Sequence, residues 1–127
     1  MWTRFMDMYS GGSCKQKPYE YIYIEAPEAE AKVIFYNRFG HNPERVTCTC
    51  CGDDYSIEDY DTLERATAYD RGCQHGRGND EGYNLASAKV SVDDYVARPD
   101  VLVVPEADIK PQERTGEVPV QGYVWQD

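Results

Sequence analysis

Hydrophobic and polar positions alternate most clearly near the start of the chain. From Tyr19 to Glu25 the tyrosines occupy one face and Ile22 and Ile24 the other, and Trp2 to Met8 alternates more weakly. A period of two is that of a β-strand. We therefore predict two early strands, with the isoleucine face toward the core. The tyrosine face is either the second face of a half-covered sheet or a surface that binds a partner.

Two later segments carry the signals of helices. Pro27 is at the start of the first, and Gly40 closes it. Proline is favoured in the first helical turn, and glycine just after the last. The second helix follows Asp61, which we predict as its capping residue, and runs to about Arg71 before Gly72. We expect the first helix to pack on the sheet.

The remaining periodic segments are short. We predict strands over Arg45 to Thr49 and Tyr55 to Ile57, which would make the cysteine-rich turn between them the tip of a hairpin. Val92 to Ala97 predicts one helical turn capped by Ser91, Val101 to Val104 a buried strand, and Val118 to Trp125 an edge strand.

These elements predict an α+β fold: a small mixed domain with a short antiparallel sheet, two or three helices and a zinc-stabilised turn. The chain of 127 residues fits one domain, 1–127. Its hydrophobic share of 41% depends on 11 tyrosines, so the predicted core is small and semi-polar. A metal crosslink often supplements a core of this kind.

Four of the five cysteines and one of the two histidines lie in one short part of the chain. Cys48, Cys50 and Cys51 precede Gly52, and Cys73 and His75 follow about twenty residues later. Thiolate and imidazole are ligands that zinc prefers, and C-x-x-C-G is a common turn for two of them. We predict a structural Zn²⁺ site with the ligands Cys48, Cys51, Cys73 and His75.

Cys50 is the alternative ligand, in place of Cys48 or Cys51. Neighbouring side chains in extended or turn backbone usually point apart, so we do not expect Cys50 and Cys51 to bind the same ion. Two other interpretations stay open: scattered reduced thiols, or a redox pair of Cys50 and Cys51. Cys14 and His41 lie outside the predicted set, and four protein ligands would leave no position for a catalytic water.

The net charge of −10 argues against direct nucleic-acid binding, because such binding depends on neutralising phosphates with basic side chains. Attraction is expected toward basic protein surfaces. Six carboxylates beside the cysteine turn are the candidate contact surface, although a solvated face explains them as well: Asp53, Asp54, Glu58, Asp59, Asp61 and Glu64.

The sequence shows none of the common motifs for catalysis or targeting. The sequence has no G-x-S-x-G, P-loop, G-x-G-x-x-G or H-E-x-x-H pattern, and we expect no enzymatic activity. An acidic residue interrupts the start where a signal peptide would be apolar, and no run of about 20 apolar residues spans a bilayer. The odd cysteine number fits a reducing cytoplasm better than a disulfide framework.

Parts of the chain resemble a known group of proteins. YNRFGHNPERVTCTCCG over 36–52, RPDVLVV over 98–104 and GYVW over 122–125 look like a family of small phage and prophage proteins. Among small acidic phage proteins, the chain is similar to zinc-containing type II-A anti-CRISPR proteins, which inhibit Cas9. That class has no general motif, so the resemblance carries over no contact residues.

The resemblance implies stoichiometric inhibition of Cas9, or of its guide-RNA complex, in the cytoplasm of an infected bacterial host. Cas9 has long channels lined by basic residues, so an acidic domain can block DNA binding or loading without chemistry. The alternative is a phage accessory or virion-associated zinc module that binds another protein.

Overall fold

The structure is a computed structural model that describes residues 1–73 and 90–119, and a four-stranded sheet lies at its centre. The strands are β1 (Trp2–Asp7), β2 (Tyr21–Ile24), β3 (Tyr55–Tyr60) and β4 (Val101–Val104). The helices are α1 (Glu28–Phe39), α2 (Leu63–Cys73) and α3 (Val92–Val96). The predicted α+β class is confirmed.

The sheet has the strand order β3-β1-β2-β4. β1 is antiparallel to both β2 and β3, whereas β4 lies parallel to β2. A parallel pair needs a long connection between its strands, and the chain from α1 through α3 provides it. The sheet is therefore mixed at one edge, where we expected antiparallel pairing throughout.

One face of the sheet packs against α1. Phe5, Ile22 and Ile24 are fully buried there, together with Ile34 and Phe35 of the helix. The rings of Phe5 and Phe35 lie with their centroids 4.7 Å apart. The prediction that the isoleucine face meets the core is confirmed.

The opposite face is covered by α2 and α3. Tyr23 is fully buried against Ala66 of α2 and Tyr95 of α3, and Tyr21 is half-buried beside them. Tyr19, which precedes β2, packs against the α1 side instead. The tyrosine stripe is thus neither an open partner surface nor one face of a half-covered sheet. It is mostly the second layer of core.

The helix ends follow the expected signals with two exceptions, the cap of α2 and its last residue. Gly40 adopts φ 70° and its N–H donates to the Tyr36 carbonyl at 2.8 Å, closing α1. The cap of α2 is Thr62, whose hydroxyl accepts from the Arg65 N–H at 3.1 Å, so the predicted cap at Asp61 is wrong by one residue. The helix continues through Gly72 to its last residue, Cys73.

The predicted cysteine hairpin is wrong. No strand forms over Arg45 to Thr49, and only an isolated bridge joins Cys48 to Gly52. β3 is longer than predicted and pairs along its full length with β1. The reason is that the central strand offers a partner in register, which the short segment before the turn does not. Residues 120–125 of the predicted edge strand lie outside the described residues.

A buried ion pair joins the central strand to α2. The Arg4 guanidinium donates to both carboxylate oxygens of Asp70, with each N–O distance 2.7 Å. The Tyr23 hydroxyl also donates to Asp70 and lies 2.9 Å from the Tyr95 hydroxyl. Burial by itself lowers the pKa of Arg4, but the hydrogen bonds and charge of Asp70 raise it overall. The buried Arg4 guanidinium is therefore stabilised by the carboxylate that it contacts.

We expect Asp70→Ala to lower the free energy of unfolding by about 3–5 kcal/mol, because it leaves the Arg4 charge buried without a partner. Urea unfolding followed by circular dichroism measures this loss. Asp61→Ala is the control, since it removes the exposed Asp61–Arg65 pair and should cost less than about 1 kcal/mol. Equal losses for the two variants would contradict the assigned importance of the buried pair.

Candidate metal centre

Cys48 to Gly52 form a tight turn between α1 and β3. The N–H groups of Cys51 and Gly52 both donate to the Cys48 carbonyl at 3.1 Å. Gly52 adopts φ 91°, a left-handed conformation that glycine reaches without steric cost. The turn curls the chain back on itself, which brings side chains that are close in sequence onto one side.

The turn gathers three thiols. The sulfur atoms of Cys48, Cys50 and Cys51 all lie within 4.8 Å of one another, with Cys48 to Cys50 at 3.0 Å and Cys50 to Cys51 at 3.9 Å. Two sulfurs on a tetrahedral zinc ion, each bonded at about 2.3 Å, are separated by roughly 3.8 Å. The three cysteines can hold a metal ion.

The expectation that Cys50 and Cys51 point apart is wrong. Their sulfurs are 3.9 Å apart because the backbone is curled rather than extended, so the alternation of an extended chain does not apply. Cys50 thus lies in the same cluster as Cys48 and Cys51.

The thiols influence one another's protonation. Hydrogen bonds from Cys50 and Cys51 stabilise the Cys48 thiolate and lower the pKa of Cys48 to about 7. The hydrogen bond to Cys48 and the nearby sulfur charges raise the pKa of Cys50 to about 11. One thiolate is therefore accessible near neutral pH, and thiolate is the form that binds metal.

Ser10 holds the turn from the side of β1. Its buried hydroxyl accepts from the Cys48 N–H at 3.0 Å and lies 2.9 Å from the Gly52 carbonyl, to which it donates. A single side chain thus joins both ends of the turn. Gly11 beside it approaches Thr47 so closely that an added Cβ would be 3.1 Å from the Thr47 Cγ2. The sequence does not predict this role of Ser10, because nothing in its local pattern indicates a contact with a residue 38 positions away.

Asp54 holds the turn from the other side. Its fully buried carboxylate accepts from the Thr47 N–H at 2.7 Å and the Thr47 hydroxyl at 2.8 Å. The His41 Nε2 lies 3.0 Å from the carboxylate oxygen that accepts from the Thr47 hydroxyl. Asp54 therefore fixes the residue that precedes Cys48, a supporting role typical of residues around a metal site.

The cysteines and histidines outside the turn are Cys14, His41, Cys73 and His75. Cys73 ends α2, but its side chain and the whole of His75 lie outside the described residues, so the four-ligand set stays a prediction. Cys14 is apart from the cluster and donates to the Tyr19 carbonyl at 3.4 Å. His41 is bound to Asp54, as a loop residue rather than an isolated base.

The six predicted contact carboxylates divide into two groups. Asp54 is fully buried and held by Thr47 and His41, so it does not belong to the surface. The remaining five are exposed on and around β3 and at the start of α2: Asp53, Glu58, Asp59, Asp61 and Glu64. We call these five residues the acidic surface.

Comparison of the chain with protein-family models, curated proteins and solved structures finds no significant match. Within residues 1–73 and 90–119, no helix has the length and apolar character needed to cross a membrane. The geometry of the site and the surface beside it therefore carries the functional argument.

Loss of a residue that only supports a metal ligand typically weakens metal binding by about 10- to 100-fold. We expect Cys50→Ser to weaken metal binding at least that strongly, because it removes a donor atom from the cluster. Titration with Co²⁺, followed by the sulfur-to-metal absorption, measures the affinity. Cys14→Ser is the matched control and should bind as the unmodified protein does. Equal affinity of the Cys50 variant would exclude Cys50 as a ligand.

Ser10→Ala tests the support rather than the ligands. We expect about 10- to 100-fold weaker Co²⁺ binding with an unchanged absorption spectrum, because the three thiols remain while their spacing is less constrained. Ser13→Ala, a change in the same loop at an exposed position, should have no effect. A changed spectrum in Ser10→Ala would mean that the ligand set itself depends on this hydroxyl.

Proposed function

We propose that the metal is a structural Zn²⁺ bound by Cys48, Cys50 and Cys51, with Cys73 or His75 as the fourth ligand. The support is the chemistry of three gathered thiols, which suits zinc in tetrahedral sulfur-rich sites. A structural ion would fix the turn that leads through Asp54 into β3. Its contribution to function is then indirect, through the rigidity of the acidic surface.

The protein acts in this proposal by binding and not by catalysis. The observation that carries it is the acidic surface. Three of its five exposed carboxylates stand on regular elements, Glu58 and Asp59 on β3 and Glu64 in the first turn of α2, and the other two flank β3 or α2. Charges on regular elements keep their spacing, which favours a specific contact. With a net charge of −10, the preferred partner is a basic protein surface.

Cas9 is the partner we propose, from the resemblance of the sequence to type II-A anti-CRISPR proteins. Its nucleic-acid channels are basic, and an acidic domain bound there blocks DNA binding or loading in a stoichiometric manner. The charge of this chain is compatible with such a target. A different basic protein is the alternative, as in the interpretation of a phage accessory or virion module.

The test is DNA cleavage by guide-loaded Cas9 at increasing ratios of this protein. We expect cleavage to fall to background near one protein per Cas9, and the inhibition to weaken with salt because the contact is electrostatic. No inhibition at severalfold excess would exclude Cas9 as the partner.

A matched pair of variants assigns the surface. Glu58→Gln with Asp59→Asn removes two charges from the acidic surface, and Asp93→Asn with Asp94→Asn removes two from α3. We expect only the first pair to weaken inhibition, by roughly twofold to fivefold per charge at about 0.5–1 kcal/mol each. Equal effects would mean that net charge alone, and not this surface, determines binding.

A further inference from the structure

β3 lies at the edge of the sheet, and its outer side is open among the described residues. The Met8 N–H donates to the Asp54 carbonyl at 2.9 Å, and the register continues with Met6 opposite Ser56 and Arg4 opposite Glu58. Backbone groups alternate in direction along an antiparallel strand. Those of Ser56 and Glu58 therefore face β1, whereas those of Ile57 and Asp59 face outward.

Two clefts border this strand, one on each face of the sheet. The cleft beside α2 has a volume of about 500 Å³, and the cleft beside the start of α1 has about 360 Å³. Ser56 lines only the first, Ile57 and Asp59 line only the second, and Glu58 and Tyr60 reach both. The neighbours Ser56 and Ile57 thus contribute to opposite clefts.

The cleft beside α2 suits an apolar side chain. Met6, Tyr60, Ala68 and Tyr69 form much of its wall. Arg4 also lines it, but its guanidinium forms an ion pair with Asp70 and lies 5.9 Å from the centre of the Tyr69 ring. The exposed Glu58 and Arg65 line it as well. The cleft therefore offers hydrophobic contact between exposed charges of both signs.

The cleft beside α1 suits a basic side chain. Asp59 lies there beside Glu28, and its carboxylate accepts from the Glu28 N–H at 3.2 Å. Lys32 pairs with Glu28 at 2.9 Å, but Asp59 forms no ion pair with any of the described residues. An incoming cation can pair with Asp59 without displacing another.

The same charges disfavour a second copy of this chain as the added strand. Pairing β3 with another β3 brings Glu58 and Asp59 of each copy close to those of the other, and like charges across strands are destabilising. Edge strands are commonly protected from self-association by such charges. A strand that alternates basic and apolar residues meets no such repulsion.

We propose that β3 accepts an extended segment of its partner protein as a fifth strand, with basic side chains toward the α1 cleft and apolar ones toward the α2 cleft. In such strand addition the backbone hydrogen bonds supply affinity and the flanking pockets select alternate side chains. The inference deepens the proposed function, on which it rests: it names how the acidic surface binds a partner.

The probe is a short synthetic peptide in which lysine and leucine alternate, added to the full chain loaded with Zn²⁺. Amide hydrogen exchange, read by NMR, should slow by about tenfold or more at Ile57 and Asp59 in the complex. The amides of Ser56 and Glu58, which already face β1, should not change and serve as the internal control. A peptide of the same composition with its lysines and leucines in separate blocks should give no protection.

A charge variant tests the selectivity of the α1 cleft. Asp59→Asn keeps the acceptor for the Glu28 N–H and removes the charge, so it should weaken binding of the alternating peptide by about twofold to fivefold. Asp93→Asn has the same net charge and should bind the peptide as the unmodified protein does. Equal binding by both variants would overturn the assignment of a basic side chain to this cleft.

Three outcomes would overturn the proposal as a whole. Ile57 and Asp59 amides already protected in the protein alone would mean that the edge is covered, and the block peptide protecting them equally would mean that binding is not by strand addition. Cas9 inhibition without any peptide binding would overturn strand addition and leave the proposed function standing. Peptide addition at β3 without Cas9 inhibition would support this inference and exclude Cas9 as the partner.

Discussion

Arg4 and Asp70 form the contact on which the arrangement of the layers depends. A charge on the central strand is buried between the sheet and α2, and it is stable there only because a carboxylate from the helix binds it through two hydrogen bonds. The Tyr23 and Tyr95 hydroxyls extend the same network to β2 and α3. Sliding α2 along the sheet would separate the pair. The contact therefore fixes the position of α2, which forms one wall of the cleft beside it.

The cysteine turn is fixed to the same sheet through two side chains. Ser10 follows β1 and holds both ends of the turn, and Asp54 directly precedes β3 and holds Thr47. The Asp54 carbonyl also accepts from the Met8 N–H, next to the β1–β3 ladder. The turn, the loop after β1 and the start of β3 therefore form one unit. A metal ion in the turn would stiffen the acidic strand that begins there, which links the two candidate sites.

The sequence predicted the features that depend on local pattern. The isoleucine face of β2, the glycine at the end of α1 and the serine cap of α3 all follow rules that act within a few residues. Two of the errors involve distant partners, and a third involves the shape of one local turn. The pairing of β3 with β1 replaced a local hairpin, and no periodicity indicates that Ser10 binds Cys48. Convergence of Cys50 and Cys51 depends on the curvature of one turn, which the spacing of the cysteines leaves open.

In the proposed interaction the carboxylates on β3 have two effects: they protect the edge strand from self-association, and they select a basic partner. An exposed strand presents unpaired backbone groups to any other strand, and carboxylates beside them repel acidic strands, including a second copy of this chain. The same carboxylates would attract a basic strand, because its cationic side chains would pair with them. Asp59 lines only the cleft beside α1 and Glu58 lines both, so the basic side chains of an added strand would meet both carboxylates on the α1 side. In this proposal Glu58 and Asp59, which as part of a merely solvated face would carry no information, acquire specificity from their position along an open strand and not from the number of acids around them.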